Sequence, residues 1–144
     1  MILVLGVNNN INARIKANIN GGDNAMADNI NESILLSVKK MIGDHPDNDS
    51  FDSDIITHIN SVFMILRQLG VGPEKGFSII DKMAKWTDFI PAEDTNYESV
   101  KTYMYIKVRL LFDPPMNSVV TETLKAMANE FEWRLKEEAD LNKK

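Results

Sequence analysis

The chain contains no cysteine. Disulfides, thiolate zinc sites and cysteine nucleophiles are therefore excluded. Histidine is nearly as scarce: His45 and His58 are the only two, and no His-Glu-x-x-His pattern accompanies either. They read as surface or structural residues rather than as a ligand or base. No Gly-Lys-Ser/Thr phosphate loop and no Gly-x-Ser-x-Gly elbow occurs, and Gly70-Val71-Gly72 has no strand before it to make a dinucleotide fingerprint. No apolar run approaches the roughly 18 residues that span a bilayer. Met1–Val7 is too short for such a helix and has neither the basic flank nor the cleavage site of a signal peptide. Positive charge is in deficit, with 16 Lys and Arg against 21 Asp and Glu for a net −5. That balance argues against a broad nucleic-acid surface, which needs clustered cations. The sequence thus predicts no enzyme, no cofactor, no metal and no membrane partner. Asp44, Asp47, Asn48, Asp49 and Asp52 do not match the register of a calcium loop, and read as a solvated loop running into a helix cap.

What is present is an ordinary globular composition, 44% hydrophobic and 26% charged over 144 residues. That is the size of one domain with a real core. The densest apolar stretch is Tyr97 to Pro115. At about 100° per residue, Glu98, Thr102, Tyr105 and Arg109 fall on one line, and nearly everything else around the helix is apolar. Such a helix must be covered on most sides, so it is the expected centre of the fold. Asp113-Pro114-Pro115 stops it, because proline cannot continue a helix and displaces the residue before it.

Around it the sequence predicts a mainly α, compact domain of four to five helices. The first carries Ile34, Leu35, Val38, Met41 and Ile42 on its apolar face, with Asn31 as N-cap, Lys39 and Lys40 near its negative end, and Gly43 beyond it. The second, capped by Asp52 or Ser53, carries Ile55, Ile56, Ile59, Val62, Phe63, Leu66 and Leu69, and ends at Gly70, Gly72 and Pro73. From Gly76 the period shortens. Phe77 and Ile79 alternate with Ser78, and Lys85, Trp86 and Thr87 return, which predicts a small β-hairpin, with irregular loop as its alternative. Asp88-Phe89-Ile90 forms a single helical turn. The last helix, capped by Asn117 or Ser118, has the stripe Val120, Leu124, Met127, Phe131, Leu135, from which Trp133 stands apart.

Residues 1–25 differ in composition. Asn8-Asn9-Asn10 and Gly21-Gly22-Asp23-Asn24 are poor in helices and cannot offset the entropy of ordering. The expected division is 1–25 as a disordered or non-native extension and 26–144 as the single helical domain. Gly-Gly-Asp can be encoded by a strong ribosome-binding sequence, and Met26 follows at a suitable distance, so translation is expected to begin at Met26.

Two features point to contacts. Lys107 lies inside the apolar arc of the central helix. It either snorkels to water or pairs with an acid across a helix or subunit contact. Tyr103, Tyr105, Trp86 and Trp133 are amphipathic aromatics of the kind that suit interfaces.

Several segments, taken in order, resemble the head–tail connector proteins of tailed bacteriophages and of prophages in Gram-positive bacteria. They are Ile34–Lys40, Phe51–Ile56, Asn60–Phe63, Gln68–Gly72, Trp86–Phe89 and Val100–Pro115, followed by Glu132-Trp133-Arg134-Leu135. The likeness covers nearly everything from Glu32 to Leu135, and the stretch ending Leu110-Leu111-Phe112-Asp113-Pro114-Pro115, followed by Glu132-Trp133-Arg134-Leu135, is its most specific part. It implies a head-completion adaptor in the virion, assembled in the host cytoplasm. Such a protein forms a homo-oligomeric ring beneath the portal after DNA packaging, with DNA passing through and the next connector or tail protein below. No catalytic motif defines that family. Phe77, Ile79, Trp86, Tyr105, Lys107, Arg109 and Trp133 are the candidate assembly contacts. The alternative is a small helical DNA-binding regulator, for which no basic recognition helix is visible.

Deleting residues 1–25 is expected to leave thermal unfolding nearly unchanged. A fall in Tm well beyond about 4 °C, roughly one kcal/mol for a chain of this length, would show that they pack on the core.

Overall fold

The computed structural model describes residues 32–143. The segment before Met26 and the expected cap Asn31 lie outside the described residues. Among the described residues five helices follow one another: α1 (Ile34–Ile42), α2 (Asp52–Gln68), α3 (Trp86–Phe89), α4 (Tyr97–Phe112) and α5 (Ser118–Asn142). α4 packs against α1, α2 and α5, so the greasiest stretch of the sequence is the centre of the fold. Val100, Tyr103, Met104, Ile106 and Val108 are buried along it. Of the line expected to face water, only Glu98 is exposed. Thr102, Tyr105 and Arg109 are half-buried, because neighbours close over the helix on nearly every side.

The helix ends follow local chemistry. Ser33 caps α1, its hydroxyl accepting from the Leu36 amide. Gly43 adopts φ 83° beyond the C-terminus, a left-handed conformation that suits glycine, and the Asp44 amide then reaches the Lys39 carbonyl at 2.8 Å. Asn117 caps α5 by accepting from Val119 and Val120. At α2, Phe51 holds the cap position and makes no side-chain cap bond. Asp52, the expected cap, is engaged elsewhere.

Its partner is Lys39, which is completely buried. Leu35, Val38, Lys39 and Ile42 share one face of α1, so the lysine points inward with its apolar neighbours. The loop 43–51 folds back around its ammonium. The carbonyls of Pro46 and Asn48 accept from Nζ at 3.2 and 2.5 Å, and the Asp52 carboxylate accepts at 2.6 Å. Asp44 adds a longer ion pair at 3.8 Å. Three donors meet three acceptors, which is what an ammonium needs once water is excluded. The acidic loop is thus ordered around a cation, where the sequence predicted solvation.

The expected hairpin over 77–87 does not form. Asn60, in the middle of α2, donates its amide to the Ile79 carbonyl at 2.9 Å and accepts from the Ile79 N–H at 2.8 Å. One side chain supplies both bonds that a neighbouring strand would supply, so the alternation of Phe77 and Ile79 reflects docking of an extended loop. The residues expected to return as a second strand instead open α3, which begins at Trp86. An isolated antiparallel bridge joins Ser33 to Lys85, and the Ile34 N–H donates to the Ala84 carbonyl. Further along, Gly72 has φ 88°, and an added Cβ would overlap the Phe89 ring.

Lys39→Ala should cost about 3–5 kcal/mol, since removing one member of a buried ion pair strands its partners. The exposed neighbour Lys40→Ala should change stability by less than about 0.5 kcal/mol. Urea melts of the two variants measure the difference, and equal midpoints would overturn the role given to Lys39.

Candidate assembly surfaces

The core sorts the expected contact residues. Trp86 is completely buried and Ile79 nearly so. The Trp86 indole donates to the Ser37 hydroxyl at 2.9 Å, and that hydroxyl donates to the Ile34 carbonyl. Tyr105 meets Trp86 edge-on with ring centroids 6.2 Å apart. Phe77 and Phe89 pack with Phe63 in one aromatic cluster, centroids 4.7 to 5.4 Å apart. Ile79 and Trp86 are therefore enclosed within the chain, Phe77 and Tyr105 are half-buried, and the indole that looked amphipathic finds its polar partner on α1.

Lys107 is half-buried and lies 3.7 Å from the Glu132 carboxylate of α5. The pairing alternative holds, within the chain. The same Glu132 oxygen accepts from the Tyr103 hydroxyl at 2.5 Å. One carboxylate therefore clasps two side chains of α4 to α5, a few residues before buried Leu135. Arg109 donates to the Ile42 carbonyl at 3.2 Å and lies 3.6 Å from Asp113. It neutralises the negative end of α1 and fixes the end of α4 beside it.

Trp133 differs from the other six. It is 64% exposed, and with Thr95, Ser99 and Leu141 it lines a shallow groove between the 95–99 segment and α5. α5 as a whole is thinly covered. Its expected stripe is buried only at Leu135, half-buried at Leu124 and Phe131, and exposed at Val120 and Met127. Sequence reasoning missed other exposed apolar side chains, Phe51, Ile80, Met83 and Leu111. Periodicity assigns such residues to a core, and only packing shows which are left over.

Among the described residues no group of three or more His, Asp or Glu side chains is placed to hold a metal ion. No helix among them is long and apolar enough to cross a membrane. His45 is exposed, and His58 lies edge-on to Phe112 at 6.3 Å.

A protein-family model described as "Phage connector protein" matches residues 34–142, from the first residue of α1 to the last of α5. No curated protein and no solved structure matches the chain.

Burial raises the pKa of Tyr97, Tyr103 and Tyr105 above the ordinary phenol value of 10.0, and the Glu132 carboxylate raises that of Tyr103 further. A phenol held neutral in the folded chain contributes stability that is whole below about pH 10 and is lost as pH rises towards the folded value. Tyrosinate absorbance should therefore appear late and together with the loss of helical signal, and stability should fall above about pH 10. Tyr103→Phe should flatten that fall. Ordinary titration of all three tyrosines in a chain that stays helical would contradict the buried clasp.

Proposed function

The chain belongs to the phage connector protein family, and on that premise we propose that it completes the phage head as a ring beneath the portal after DNA packaging. The family is one of structural proteins, and the chain's general role is that of a phage structural connector, a component of the virion. In the proposed role it binds copies of itself, the portal above and the next connector or tail-completion protein below. Packaged DNA passes through without being gripped, and no reaction is catalysed.

The observation that carries this reading is the family match, which spans all five helices. The surface supports it. A ring needs heterologous contacts, in which one patch meets a different patch on the next subunit. A long helix with a large exposed aromatic and an incompletely covered apolar stripe offers such a patch. The net charge of −5 suits a channel wall that repels phosphate rather than holding it. The free chain associates weakly with itself, and the portal serves as the template that closes the ring. Of the contact residues of this reading, Trp133 is exposed, and Phe77, Tyr105, Lys107 and Arg109 keep partial access to solvent.

Trp133→Glu should leave the helical circular-dichroism spectrum intact and abolish copurification with portal-containing heads. A folded variant that still joins heads removes Trp133 from the contact. An unmodified chain that never joins such heads overturns the connector reading itself.

A further inference from the structure

Trp133 and Leu141 stand eight residues apart on α5, 64% and 67% exposed, with exposed Glu137 midway between them. In a helix that spacing puts all three on one face, over a rise of about 12 Å. With Thr95, Asn96 and Ser99 opposite, they make a groove that is apolar at both ends and acidic in the middle. Carboxylates are in excess around it. Arg134 is held by Glu130 at 2.6 Å, Lys136 by Asp140 at 2.8 Å, and Lys101 lies 3.9 Å from Glu98. Among the described residues Glu93, Asp94 and Glu138 have no cation at ion-pair distance. Asp94 accepts from the Asn96 N–H and Glu138 from the Thr95 hydroxyl. Glu137 acts only on its chain neighbour Lys136, which Asp140 already holds. Lys143, beside Gly70, is the uncommitted cation at the end of α5.

The sequence holds a segment of the opposite pattern. Ile11, Ile15 and Ile19 are spaced four apart over the same eight-residue span, Arg14 and Lys16 stand on either side of the middle one, and no Asp or Glu occurs before Asp23. In a helix the three isoleucines make one stripe and the two cations flank its centre. So short a helix does not hold by itself in water, but the groove supplies what it lacks. The segment precedes the described residues, which begin at Glu32. The Glu32 carboxylate is near enough to Tyr97 to raise its pKa, so the chain enters the fold beside the 95–99 wall of the groove. The twelve residues 20–31 between segment and fold span up to about 40 Å, several times the groove's length.

We infer that residues 11–19 lie as a helix in the Trp133 groove of their own chain and cover it while the chain is free. The outer isoleucines seat against Trp133 and Leu141, and Arg14 and Lys16 meet Glu137 and Glu138 between them. The tether presents the segment at a roughly millimolar local concentration, so a weak contact suffices. Residues that cannot offset the entropy of ordering alone do so against a partner surface. The contact is superficial, in accord with the small change in Tm expected on deleting residues 1–25. A chain begun at Met26 lacks the segment, and its groove is open. The groove includes the aromatic offered to the next subunit, so the cover keeps free chains apart until the portal displaces it. That consequence rests on the ring reading above; the closed free chain does not.

Because the chain has no cysteine, introduced thiols are the only ones present. Asn142→Cys, at an exposed position of the groove, is combined in the full chain with Asn12→Cys or with Asn18→Cys, one for each direction in which the segment can run. Dilute protein is treated with a short bis-maleimide. The expected product is a closed monomer, fast-migrating in a denaturing gel, from one of the two pairs. Arg14→Glu with Lys16→Glu should lower its yield several-fold, as should raised salt, and adding Glu93→Lys and Glu137→Lys to the reversed chain should restore it. Equal closure of both pairs, unmoved by the charge reversal, would mean random approach of a loose tether and would overturn the inference. Dimers without closed monomer would put the segment in a neighbour's groove and overturn its assignment to its own chain, and no crosslink at all would overturn both. The locked chain should fail to join portal-containing heads that the unmodified chain joins, and a locked chain that joins them overturns the covering role. Failure of the unmodified chain to join heads strikes the ring reading and leaves the closed monomer standing.

Discussion

The buried ammonium of Lys39 is the constraint on which the arrangement of the first two helices depends. An unpaired charge in an apolar interior costs far more than any single contact in a small domain returns. The loop 43–51 must therefore deliver two carbonyls and a carboxylate to one point. That requirement fixes the turn at Gly43, brings Asp52 to the head of α2 and leaves Phe51 at the surface beside Phe112. A hydrophobic residue at position 39 would fill the space and leave the loop free to choose among conformations. A buried ion pair is weak evidence for stability and better evidence for a single geometry.

The second polar anchor serves the other side of the molecule. Glu132 joins Tyr103 and Lys107 on α4 to α5, and buried Ala128, Leu135 and Ala139 with the Thr95–Glu138 hydrogen bond hold the carboxyl-terminal half of that helix. Towards its amino-terminal end the helix keeps exposed apolar side chains. A monomer designed only to be stable would cover them. A protein whose work is to be joined to other proteins has reason to leave them open, and the family match places this chain among proteins of that kind.

The sequence showed the helical architecture clearly because helical spacing is a property of consecutive residues. α4 declared itself by having almost no polar face, and its end by Pro114-Pro115. Lys39 shares the i, i+3, i+4 face of Leu35, Val38 and Ile42, yet helix chemistry alone reads it as a cation near the negative end of α1, and the Asp and Asn residues that follow as a solvated loop. Partners made across the fold were less legible. Nothing in the spacing of Phe77 and Ile79 distinguishes a strand from a loop clamped by Asn60, because both present alternate side chains to the core. Trp86 and Trp133 look alike in a sequence. The first is enclosed by Phe63, Tyr105 and Ser37, all distant in sequence, and its hydrogen-bond partner Ser37 is 49 residues away.

That contrast between the two indoles also gives the molecule a pair of internal reporters. Trp86 emits from an apolar enclosure, and Trp133 from water. A soluble quencher such as iodide reaches the second and spares the first. Covering of the α5 surface would then register as protection of the quenchable fraction, while the emission of the core stayed constant. Loosening of the fold would register as the opposite pattern. With no other tryptophan in the chain, intrinsic fluorescence alone can distinguish an assembly event from a folding event, without any label.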